Sequence, residues 1–72
     1  MALLATWASR GAKWSAVLYR QADGYRLSER KHGQETGASY RPFTMLSDDT
    51  AAIEHYTRHV AMVFDTPMKR VD

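Results

Sequence analysis

Histidines, arginines and tyrosines are the chemistry-bearing side chains here. His55 and His59 stand four apart in a stretch with helical spacing, so they share a face, and two imidazoles so placed could hold a metal. The zinc-protease pattern needs a glutamate directly after the first histidine and the second histidine three residues beyond that glutamate. The chain reads Glu54-His55-Tyr56-Thr57-Arg58-His59, so the pattern fails. There is no cysteine, and a third ligand would have to come from His32 or a carboxylate. We therefore expect solvated or half-buried histidines, with no metal and no cofactor. No nucleophile sits in a recognisable setting: the chain lacks G-x-S-x-G, a P-loop and a glycine-rich phosphate cradle, and its carboxylates are scattered. The expectation is a protein that is not an enzyme.

The arginines and tyrosines are better clustered. Arg20, Tyr25, Arg26, Arg30, Lys31 and Arg41 are the residues expected to touch a partner, interleaved with Tyr19, His32 and Tyr40. Arginine with aromatics on a sheet suits nucleic acid. It suits a protein surface equally, because Arg and Tyr dominate interface hot spots. Tyrosines in strands also pack as ordinary half-buried side chains. Charge is unevenly spread: residues 10–41 carry seven Lys and Arg against three Asp and Glu, and residues 42–72 carry three against five. An anionic partner on the basic half is one consequence, and ordinary solvation of a small surface is the other.

These side chains need elements to hold them. Ser47-Asp48-Asp49 opens a stripe of Ile53, Tyr56, Val60 and Phe64 that Pro67 closes, which predicts a helix around 48–65 with Ser47 as N-cap. Lys13 to Gln21 reads as a strand apolar on both faces, hence central. Ala22-Asp23-Gly24 reads as a hairpin turn in which Gly24 supplies positive φ. Tyr25 to His32 returns, with Tyr25 and Leu27 facing away from Arg26, Ser28 and Arg30. Gly33 to Gly37 reads as a second turn. Ala38 to Met45 reads as a third strand, at an edge or bulged at Pro42, contributing Phe43 with Tyr40 or Met45 to the core. Ala2 to Arg10 suits an edge strand, with a short helix as the alternative, and Met68 to Asp72 reads as extended. The fold class is α+β: a three- to four-stranded antiparallel meander with one C-terminal helix packed across one face, in a single domain.

The bulk numbers bound the rest. Seventy-two residues make one small domain with a modest core. Nothing approaches a membrane span, and the apolar start lacks the basic region of a signal peptide. We expect a soluble cytoplasmic protein, complete from its initiator Met, that meets no membrane and is a monomer or homodimer.

The run Ser15-Ala16-Val17-Leu18-Tyr19, the Asp-Gly hairpin after it and the Phe43 to Ser47 lead into the helix resemble the layout of the small phage and mobile-element inhibitors known as anti-CRISPR proteins. That resemblance implies a stoichiometric binder covering a surface of a host nucleoprotein complex. The layout is also similar to three-stranded DNA-binding domains of the plant AP2 type and the phage integrase arm-binding type. There the resemblance implies that Arg26, Arg30 and Arg41 would enter the major groove, although the Gly-and-Trp pattern of the AP2 type is missing.

Overall fold

The computed structural model describes residues 1–71. Its elements are β1 (Ala2–Ser9), a 3₁₀ turn (Arg10–Ala12), β2 (Trp14–Arg20), β3 (Gly24–Lys31), β4 (Gln34–Pro42), α1 (Asp49–Val63) and β5 (Met68–Arg70). The strands form one antiparallel sheet in the order β4-β3-β2-β1-β5. The architecture is the expected α+β meander with one helix across one face. The sheet has five strands, because Met68–Arg70 pairs with the end of β1. Asp72, the last residue of the expected extended tail, lies outside the described residues. Ala2–Ser9 is a strand but not an edge strand: it runs along β2, and Trp7, Ala8 and Ser9 also pair with β5.

Cross-strand register sorts the side chains onto two faces, since directly paired residues project to the same side. One face presents Ala5, Trp7, Ala16, Leu18, Tyr25 and Leu27, and α1 covers it with Ala52, Tyr56 and Val60. The spacing of those helix residues is the one-sided stripe expected of a packed helix. Ile53 and Phe64 sit at the margin of this core rather than inside it. Phe43, Tyr40 and Met45, expected to be core, are 36%, 41% and 67% exposed. The chain leaves the sheet at Pro42, and Leu46 is the residue that reaches the core from this connection.

Two turns differ from expectation. Gly24 has no positive φ; glycine is needed there because a Cβ would strike Arg41 O and stand 2.7 Å from Tyr40 Oη and 2.8 Å from Pro42 Cα. The second turn is only His32–Gly33, with φ of 52° and 79°, the two left-handed residues of a type I′ hairpin. Gln34 to Gly37 therefore belong to β4, where Thr36 bulges between the pairs Glu29–Gly37 and Arg30–Glu35. The helix N-cap is Asp48, not Ser47: its Oδ1 accepts from Ala51 N at 2.8 Å. Among the described residues no helix is long and apolar enough to cross a membrane.

Candidate functional site: the uncovered face of the sheet

The sheet face opposite α1 has no second layer among the described residues. Two cross-strand rows define its middle. Leu3, Tyr19, Arg26 and Tyr40 are paired neighbours across β1 to β4, and Thr6, Val17, Ser28 and Ala38 form the next row. The second row is small and mostly flat. Val17 and Ser28 are nonetheless buried, 8% and 0% exposed, so longer neighbouring side chains do the covering.

Those neighbours form a bonded network. Arg26 Nη2 donates to both carboxylate oxygens of Glu35 at 2.9 Å, and Ser28 Oγ donates to Glu35 Oε1 at 2.7 Å. Arg30 Nε donates to Ser28 Oγ at 3.0 Å and Arg30 Nη2 to Tyr19 Oη at 3.2 Å. The Ser28 hydrogen bond and then Arg26 hold the Glu35 carboxyl below its usual range. Glu35 is placed for this by the bulge at Thr36, which turns it onto the same side as Arg26 and Arg30. Leu3 and Tyr40 project beside the network, 61% and 41% exposed, and Tyr40 Oη donates to Asp23 O at 3.0 Å.

The six residues expected to touch a partner do not share one surface. Arg26 and Arg30 lie on the uncovered face. Arg20, Tyr25 and Arg41 form one row on the helix side. There Arg20 Nη1 donates to Asp49 Oδ2 at 2.5 Å, and Tyr25, 1% exposed, donates its hydroxyl to Asp49 Oδ1 at 2.9 Å. These contacts tie the start of α1 to the sheet; burial, and then the bond to Asp49, push the Tyr25 phenol up. Arg41 Nη1 donates to Tyr40 O at 2.9 Å, and Lys31 Nζ lies 5.1 Å from the Trp14 ring centroid. The residues that sequence alone underrated are Leu3, assigned to an ambiguous segment, and Glu35, assigned to a turn.

The histidine pair lies on the β3–β4 side of the sheet. Its rings stack at 6.4 Å, with His59 Nε2 3.8 Å from Glu29 Oε2. Among the described residues no group of three or more His, Cys, Asp or Glu is disposed to hold a metal.

The fold and surface together define a class: an open-faced α+β protein with one bare, arginine- and tyrosine-bearing sheet face. No protein-family model, no curated protein and no solved structure matches the chain.

Proposed function

We propose that this protein is a non-catalytic, stoichiometric binder that lays its uncovered sheet face against a larger protein or nucleoprotein assembly. The observation carrying this reading is the row Leu3, Tyr19, Arg26 and Tyr40, which combines an exposed aliphatic, two amphipathic rings and an arginine on a face with no second layer. That is the composition of an interface hot spot, and an exposed apolar residue ringed by polar ones is what a docking surface presents. In its favoured form the binder is a phage-type inhibitor of a host CRISPR-like complex, acting in the host cytosol by occupying a surface. The second reading, a small DNA-binding domain that uses the sheet, is supported by the same arginines. It is weakened because Arg26 is already paired with Glu35, so a phosphate there would have to displace a carboxylate, and Arg30 is already bonded to the hydroxyls of Ser28 and Tyr19.

Capture from host lysate tests the reading. Tagged protein should retain a protein partner after nuclease treatment. The Leu3→Asp/Tyr40→Ala double variant, with unchanged circular dichroism, should lose it. A nuclease-sensitive capture, together with a shift of free duplex DNA, overturns the reading in favour of the second one.

A further inference from the structure

The cations near the uncovered face differ in how far other groups already engage them: Arg30, for one, is bonded only to the neutral hydroxyls of Ser28 and Tyr19. Arg20 is held by Asp49, Arg26 by Glu35, and Lys13 and Lys31 lie over the Trp14 ring. Arg10 and Lys69 are exposed and make no ion pair among the described residues. Both border one cavity of about 630 Å³, together with Ala8, Thr66, Pro67 and Val71. Ala8 pairs with Lys69 on one side and with Ser15 on the other, and Ser15 pairs with Arg30, so the cavity continues the uncovered face at its β5 corner. The left-handed backbone at Gly11 and Ala12, with φ of 78° and 56°, turns the chain sharply just after Arg10.

We infer that this corner receives an acidic segment of a protein partner, with a carboxylate between Arg10 and Lys69 and an apolar neighbour on Ala8, Pro67 and Val71. The inference rests on the reading that the uncovered face is the binding face. Charge complementarity selects the occupant. A guanidinium and an ammonium at the rim of one cavity suit a single carboxylate, and the apolar wall rewards a hydrocarbon side chain next to it. A nucleic acid needs a line of unpaired cations that follows its backbone. Here the next cations along the face, Arg30 and Arg26, are already bonded. The volume is that of a site for a short peptide segment or a small ligand.

The test is an NMR titration of the full chain with a blocked Glu-Leu-Glu-Leu peptide, its Gln-Leu-Gln-Leu counterpart and a single-stranded oligonucleotide. The acidic peptide should give saturable shifts at Ala8, Arg10, Thr66, Lys69 and Val71. Binding should be roughly tenfold weaker for the glutamine peptide, and weaker by a similar factor for the Arg10→Gln/Lys69→Gln variant. Both substituted residues are exposed, so that variant should keep the wild-type spectrum elsewhere. Absence of saturation, equal binding of the neutral peptide, or tighter binding of the oligonucleotide at these residues overturns the inference. Leu3→Asp/Tyr40→Ala should leave the peptide affinity unchanged. Loss of peptide binding alone therefore sinks the acidic corner, and loss of the lysate partner's dependence on the central row alone sinks the broader reading.

Discussion

Beneath α1, four buried polar atoms lack a hydrogen-bond partner among the described residues: Ser39 Oγ, His55 Nε2, Tyr56 Oη and His59 Nε2. Burial pushes the Tyr56 phenol up, against smaller downward pulls from the nearby Ser39 hydroxyl and Arg41, yet the two hydroxyls do not reach good hydrogen-bond geometry. Burial also pushes His55 below its ordinary value of 6.5, helped by the positive charge of Arg41 and by His59 and Arg58. Glu29 is the carboxylate on this flank, and it stands beside His59. A histidine that is harder to protonate when folded lets the unfolded chain bind more protons, so it stabilises the fold above the unfolded value and loses that contribution as pH falls. The melting temperature should therefore drop as pH is lowered from about 7.5 through 6.5 towards 5, and His55→Gln should flatten that slope. Glu35, held low by Ser28 and Arg26, acts in a separate window, because its contribution fades only below its ordinary value of 4.5. A melting curve indifferent to pH above 5, or an unchanged slope in His55→Gln, contradicts this assignment.

At the scale of elements, α1 is fastened at its start. Asp48 caps it, and Asp49 receives both Arg20 and Tyr25 from the sheet. Asp48→Ala should lower stability by about 0.5–2 kcal/mol, while Ser47→Ala should be close to neutral, as read from denaturant midpoints. The reverse ranking would restore Ser47 as the cap. Local pattern made most elements legible: the strand parity of Trp14 to Tyr19 and Tyr25 to Arg30, the helix stripe and the edge position imposed by Pro42 all hold. What failed were features decided by a neighbouring segment. Either Ser47 or Asp48 satisfies the cap rule, and the geometry of the incoming chain chose between them. Gly24 carries the sign of a positive-φ turn, but the crowding of Arg41 and Pro42 from β4 is what requires it. His32 hides a type I′ turn because the usual signal for that turn is Asn-Gly or Asp-Gly, and the two glycines at 33 and 37 spread the turn signal over Gln34 to Gly37. β5 is too short to announce itself and exists because β1 offers it an edge.

At the scale of the whole molecule, the basic half of the sequence is a poor guide to the surface. Alternation places Arg26 and Arg30 on one face and Arg20 and Arg41 on the other, and a list of cations along the chain does not show which have been neutralised. Glu35 and Asp49, distant in sequence from Arg26 and Arg20, remove two of them. The net charge is only +2, and Arg26, in the middle of the uncovered face, is already paired with Glu35. Binding of the captured partner should then respond weakly to salt. A duplex-DNA binder loses affinity with a log–log slope near −0.9 per phosphate contact, so about six contacts amount to roughly a thousandfold loss between ~50 and ~200 mM salt. A protein interface anchored by Leu3, Tyr19 and Tyr40, with one carboxylate at the Arg10–Lys69 corner, should lose less than about tenfold over the same range. The loss should fall mainly on the association rate, because apolar and aromatic contacts set dissociation and salt screens only the approach. Surface plasmon resonance at three salt concentrations separates the two. A steep slope carried by the dissociation rate would mean that phosphates displace Glu35 from Arg26, and the protein-binding reading would give way to the DNA-binding one.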